Sequence, residues 1–152
     1  MTKHIVFDCD GTLIDTHKMN YPLFPGIKEL LLGLPRDCLL YVWTARDRRS
    51  LERILTDHGV RHLFEGLYTS DDFYPKPHFR GLIELLGEVD KSQVWIIGDT
   101  TIDILGAKHF GVKSIGAVWG LAGSSESLID AGADLIAQEP NQCIVWVTQN
   151  NI

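Results

Sequence analysis

The sequence predicts an α/β fold, a doubly wound parallel sheet in a three-layer sandwich, built as one domain over residues 1–152. Three observations predict it. Short apolar runs end in polar or glycine residues at 5–7, 39–43, 94–98 and 114–118, and strands buried on both faces of a parallel sheet read as such continuous runs. Segments with helical spacing of apolar residues separate them, joined by short loops. A chain of 152 residues buries roughly 70% of its unfolded surface, enough for a single core.

The elements follow in order. Residues 5–7 form the first strand, and Gly11 permits a sharp exit from it. Residues 12–24 are irregular, closed off by Pro22 and Pro25. Pro25-Gly26 opens a helix with Ile27, Leu30, Leu31 and Leu34 on one stripe, and Pro35 ends it. The second strand, 39–43, stops at Thr44. A helix over 48–58 turns Leu51, Ile54 and Leu55 inward, with Gly59 at its end. Residues 67–69 form a weaker third strand. Pro75 and Pro77 make a rigid extended loop that fixes the direction of Lys76. The next helix, 79–86, carries Leu82, Leu85 and Leu86 toward the core. After the fourth strand, 94–98, Thr100 or Thr101 caps a helix that runs to Phe110 and stops at Gly111. A strand at 114–118, a helix at 125–131 and a strand at 135–137 complete the pattern. From Pro140 onward Ile144, Val145 and Val147 are poor helix formers, and the stretch stays unassigned.

Composition excludes several function classes. Hydrophobic residues make up 45% and charged residues 22%, the profile of an ordinary globular protein. A net charge of -6 disfavours nucleic acid as a partner, since such binders carry broad basic faces. Arg46-Asp47-Arg48-Arg49 is the one short basic cluster, and it reads as a solvated helix start. Cys9, Cys38 and Cys143 have neither metal-ligand spacing nor an even count, which fits a reducing compartment. No apolar run has the length of a signal segment or a membrane span, so the expectation is a cytoplasmic protein with no membrane contact.

In a doubly wound sheet, ligands bind beyond the C-terminal ends of the strands. Asp8 and Asp10, Thr44, and Asp99 all fall at such ends, on three different strands. If the first strand stays extended through Cys9, Asp8 and Asp10 share one direction and Cys9 points away. Two close carboxylates resist ionising together unless a cation lies between them. With Asp99 they make an oxygen-only nest for a hard divalent ion, Mg²⁺ by default. Asp103 follows four residues later, on the same helix face, where it can orient a metal-bound water or brace Lys76.

This pattern suits a carboxylate nucleophile, Asp8, attacking phosphorus. The charge that builds on the phosphoryl oxygens would be met by Mg²⁺, the Lys76 ammonium, the Thr44 hydroxyl and backbone N–H groups around Cys9, Asp10 and Ala45. Well-placed donors of this kind contribute about 3 to 4 kcal/mol each. Asp10 would protonate the leaving alcohol and then deprotonate water.

Asp8-Cys9-Asp10-Gly11-Thr12-Leu13-Ile14-Asp15, Thr44, Lys76 in Pro-Lys-Pro, and Gly98-Asp99-Thr100-Thr101-Ile102-Asp103 resemble the four motifs of the haloacid dehalogenase (HAD) superfamily. Pro25-Gly26-Ile27-Lys28-Glu29-Leu30-Leu31, Ile115-Gly116-Ala117-Val118-Trp119-Gly120 and Ala131-Gly132-Ala133-Asp134 further resemble its phosphoglycolate-phosphatase-like branch. The resemblance implies a phosphatase that forms an aspartyl-phosphate on Asp8. It also implies a metal site of Asp8, the Asp10 backbone carbonyl and, as direct ligand, Asp99, with Asp103 behind it or reaching the metal through water; Thr44 and Lys76 would hold the phosphate. Branch members carry a helical cap domain after the first motif, whereas only residues 16–24 stand there in this chain, so it looks capless and its phosphorylated substrate is left open. An uncapped site predicts either a homo-oligomer that walls it or a bulky substrate. A receiver-type signalling module is one alternative, disfavoured because the acceptor-like Asp8 opens the chain; a phosphotransferase is another, disfavoured because transfer needs a cap to exclude water. Trp43, Trp95 and Trp146 read as core and Trp119 as the tryptophan nearest a site; Tyr21 and Phe24 belong to the short flap, and His17 and His78 are weak substrate-contact candidates.

Overall fold

The computed structural model describes residues 1–121 and 123–149; Ala122 and residues 150–152, the last three of the expected domain, lie outside the described residues. Six parallel strands form one sheet: β1 (Lys3–Phe7), β2 (Cys38–Trp43), β3 (Phe64–Tyr68), β4 (Val94–Gly98), β5 (Lys113–Ala117) and β6 (Leu135–Ala137). The helices are α1 (Ile27–Gly33), α2 (Arg48–Asp57), α3 (Arg80–Leu86), α4 (Thr101–Phe110), α5 (Ser125–Ala131) and α6 (Gln142–Thr148). The strand order is β3-β2-β1-β4-β5-β6, the doubly wound order that reverses direction between β1 and β4. A receiver-type module would carry the flavodoxin-like order 2-1-3-4-5 instead.

Alternation along the strands supplies two cores. Ile5 and Phe7 face one way, against Ile27, Leu30 and Leu31 of α1, Leu51 and Leu55 of α2, and Cys143 and Val147 of α6. Val6 faces the other way with Tyr41, Trp43 and Ile96, against Leu82 and Leu86 of α3 and Ala107 and Phe110 of α4. β1, flanked by β2 and β4 and fully buried from Ile5 to Phe7, is the axis of the sheet.

Most boundaries shift by a residue or so, and three differences from the sequence reading are larger. β3 begins at Phe64 rather than 67, because Glu65 and Gly66 interrupt the apolar run while the backbone still pairs with β2 through a register shift at Leu40/Tyr41. β1 reaches back to Lys3 on the same principle. The unassigned C-terminal stretch is α6: burial of Cys143 and Val147 outweighs the poor propensity of the β-branched residues.

No cap domain stands among the described residues. Residues 16–24 instead fold back as a tight loop, with the Asp15 N–H donating to Pro22 O at 2.8 Å and the Phe24 N–H to Leu13 O at 3.0 Å. Asn20 and Tyr21 take positive φ at its tip. No helix of the described residues is long and apolar enough to cross a membrane.

Candidate active site

Because β1 and β4 are neighbours, their ends deliver Asp8 and Asp99 side by side, and the ladder continues one step past β1 as the Asp8 N–H donates to Ile97 O at 3.0 Å. β2 delivers Thr44, whose N–H donates to Tyr68 O at 3.0 Å. Lys76 arrives from the turn between β3 and α3, and Asp103 from the first turn of α4. A cavity of roughly 620 Å³ opens over these ends, lined by Asp8, Asp10, Thr44, Ala45, Arg46 and Lys76 among others.

At its floor Lys76 is fully engaged. Its Nζ donates to Asp8 Oδ1 at 3.0 Å and to Asp103 Oδ1 at 2.5 Å, and it sits 4.5 Å from the centroid of the Trp43 ring. Asp103 Oδ2 accepts from the Thr100 N–H at 3.1 Å and from its hydroxyl at 3.0 Å. Both Asp103 oxygens are therefore occupied, and the residue braces Lys76 and the start of α4. Thr12 donates its hydroxyl to Asp99 Oδ1 at 3.2 Å.

Two glycines make room for the acids. Gly11 has φ +83, and a Cβ there would stand 2.1 Å from Asp99 Oδ2. A Cβ on Gly98 would stand 2.3 Å from the Asp103 carboxylate.

Asp8, Asp99 and Asp103 are all buried, and each offers a carboxylate oxygen within 4.8 Å of the others. Burial pushes Asp8 up to about 7 against the pull of Lys76, with the neighbouring Asp99 adding to the rise. Burial likewise raises Asp99 and takes Asp103 to about 6. For Lys76 burial alone would favour the neutral amine, but the Asp103 and Asp8 carboxylates outweigh it and hold the ammonium above its usual range. Once ionised, three carboxylates against one ammonium leave uncompensated negative charge, and the donors are all oxygen. That set fits a hard divalent cation such as Mg²⁺. Asp8 and Asp99 have oxygens to offer it, whereas Asp103 stands behind them.

As the sequence reading expects, Asp8 and Asp10 both face the cavity while Cys9 points away into the core. The Asp10 carboxylate nevertheless stands outside the Asp8–Asp99–Asp103 cluster; the chain turns after Cys9, whose O accepts the N–H groups of Thr12, Leu13 and Ile14. The Asp10 carboxylate, 44% exposed, is held by Arg46, with Nε to Oδ1 at 2.9 Å and Nη2 to Oδ2 at 2.8 Å. Its part in metal binding would fall to the backbone carbonyl. The Cys9 side chain is buried in the core, and burial raises its thiol far above the usual range, so only its backbone can meet a phosphate.

Sequence reasoning missed Arg46, taken there for part of a solvated helix start. Its side chain is 16% exposed and lines the cavity. The available signal was position: it follows Thr44 by two residues at a strand end. The Arg46 N–H donates to Thr44 Oγ1 at 3.0 Å, and its guanidinium lies 5.2 Å from the Tyr21 ring centroid. Trp119 lies behind the nucleophile turn, its indole N–H donating to Thr12 O at 2.9 Å. Neither His17 nor His78 lines the cavity.

The chain resembles known hydrolases in sequence and in fold. A phosphoglycolate phosphatase of Synechococcus elongatus is 28% identical over 130 residues, covering 84% of this chain and 60% of its own length. The chain thus spans well under two thirds of that curated relative. A haloacid dehalogenase-like family hydrolase from Streptococcus pneumoniae superposes with a TM-score of 0.84 at 21% identity, over 95% of this chain and 98% of the other. A HAD-hydrolase from Bacillus subtilis, solved bound to magnesium, gives 0.81 at 13% identity over 97% and 99%. Both likenesses are of fold. The model of the haloacid dehalogenase-like hydrolases matches residues 17–117, which hold Thr44, Lys76, Asp99 and Asp103. Since that match runs over the greater part of the sequence, the chain belongs to the haloacid dehalogenase-like hydrolase family.

Proposed function

We propose that the chain is a Mg²⁺-dependent phosphomonoesterase acting through an aspartyl-phosphate on Asp8. The observation that carries this reading is the buried Asp8–Lys76–Asp103 chain beside Asp99, at the floor of an open cavity. The phosphatase relative and the magnesium-bound neighbour support it.

Asp8 and Asp99, with the Asp10 carbonyl, would hold the ion, which when bound supplies positive charge against the phosphoryl oxygens. Lys76 supplies a second cation at Asp8, and Thr44 offers a hydroxyl at the cavity wall. In the first step an Asp8 oxygen bonds to phosphorus, the ester P–O bond breaks, and the leaving oxygen takes the proton of the Asp10 carboxyl. In the second, Asp10 takes a proton from water, the water oxygen bonds to phosphorus, and the Asp8–phosphorus bond breaks. The balance is ester plus water to alcohol plus phosphate, with Asp8 regenerated. In-line displacement of this kind is mostly positioning and charge stabilisation.

The test is Asp8→Asn with an aryl phosphate and Mg²⁺, together with intact-mass analysis of Asp10→Asn after substrate. Asp8→Asn should lose hydrolysis by at least a thousandfold, and Asp10→Asn should accumulate a phosphoryl adduct on Asp8. Full metal-dependent turnover by Asp8→Asn would overturn the reading.

A further inference from the structure

The Arg46–Asp10 pair conflicts with the role proposed for Asp10. A carboxyl that exchanges protons with the leaving oxygen and then with water needs a free oxygen facing the cavity. Both Asp10 oxygens instead accept from the one guanidinium, at 2.9 and 2.8 Å. In the unliganded chain the acid/base residue is tied down.

The other cation of the cavity cannot answer an incoming phosphate by moving, because Lys76 is held by two buried carboxylates and the Trp43 face. Arg46 can. Its bidentate partner Asp10 is 44% exposed, so solvent screens the pair and an anion of higher charge can compete for the fork. Its remaining contacts are slight, a 3.3 Å bond from Nη1 to Ser50 Oγ and the ring of Tyr21. A phosphoryl dianion offers the same two-oxygen edge as a carboxylate and twice its charge, which the guanidinium fork matches. The backbone keeps Arg46 in place throughout, since its N–H stays on Thr44 Oγ1.

We propose that Arg46 is a phosphate-binding residue that rests on Asp10 and exchanges to the phosphoryl oxygens when substrate enters, releasing Asp10 for proton transfer only in the occupied site. This rests on the phosphomonoesterase reading above. It would keep an uncapped site from presenting a free acid/base to water between turnovers, and Tyr21 of the short loop would guide the exchange by packing against the guanidinium.

Calorimetric titration of inorganic phosphate, in Mg²⁺, tests it on the wild type, Arg46→Ala, Arg46→Lys and Asp10→Asn. Arg46→Ala should weaken phosphate at least tenfold, and Arg46→Lys should recover part of that, having charge without the fork. Asp10→Asn should bind phosphate about threefold to tenfold tighter, because Arg46 no longer has to leave a carboxylate. In the wild type the Arg46 Nε–H resonance should shift on saturation with phosphate. An unchanged affinity in Arg46→Ala with normal circular dichroism, or an Arg46 resonance that phosphate does not move, overturns the exchange while leaving the proposed function standing. A wild type that neither hydrolyses aryl phosphate nor binds phosphate overturns the proposed function itself.

Discussion

At the scale of single residues, Lys76 has the heaviest electrostatic task. Removing one partner of a buried ion pair costs about 3–5 kcal/mol, since the other charge is left uncompensated. Lys76→Met strands two carboxylates at once, Asp8 and Asp103. In EDTA at pH 7.5 we expect urea unfolding to show a loss of about that size, shrinking toward pH 5 as the carboxylates take up protons instead. Asp8 and Asp103 also set a pH dependence. Their folded values, about 7 and about 6, lie above the ordinary 3.8, so between these limits the native chain holds protons that the unfolded chain has released. Their contribution to stability is complete below about pH 4 and is lost as pH rises through 6 and 7. The metal-free protein should therefore melt at a lower temperature at pH 7.5 than at pH 5.5, and Mg²⁺ should restore the difference by binding the ionised form. A melting temperature in EDTA that is flat or rising over that range would contradict the burial argument.

At the scale of elements, the turn between β1 and the short loop decides where the acids meet. Gly11 has two reasons to lack a side chain, its positive φ and the Asp99 oxygen that occupies the space. Gly11→Ala should weaken Mg²⁺ binding at least tenfold, measured by calorimetry, with a stability loss of about 1–3 kcal/mol from the strained backbone. Intact Mg²⁺ affinity in that variant would show that Asp99 does not need its present position. The need for a glycine here was legible as a sharp exit, but the carboxylate filling the vacant side was not, because Asp99 lies on another strand. Arg46 was obscured for the opposite reason. Read along the chain it belongs to a basic run before α2, and only the approach of β1 and β2 puts it opposite Asp10. The segment that became α6 could not be assigned because its local preference and its packing disagree, and packing against α1 prevails.

At the scale of the molecule, the sheet was legible because central parallel strands must be apolar throughout, and the site because such a sheet exposes ligands at one edge. What no run of residues could reveal is how that edge is closed. The cavity is open to solvent, and an open site would leave water beside a bound phosphoryl group and weaken the charge interactions in it. Ile102 lines the cavity, and Leu105, one turn further along α4, is 42% exposed. Together they carry an apolar strip from the cavity wall onto the surface. The homo-oligomer expected of an uncapped site would have to bring a second copy near this strip, which makes Leu105 the position that tests the expectation. Light scattering should then give a multiple of the chain mass, and Leu105→Asp should return the monomer. Leu105 is outside the cavity lining, so a loss of turnover at unchanged circular dichroism and unchanged melting temperature would report opening of the site. A wild type that scatters as a monomer at every concentration, yet prefers small phosphate esters over bulky ones, would mean that the open edge is sufficient and that the loop over residues 16–24 does the work of a cap.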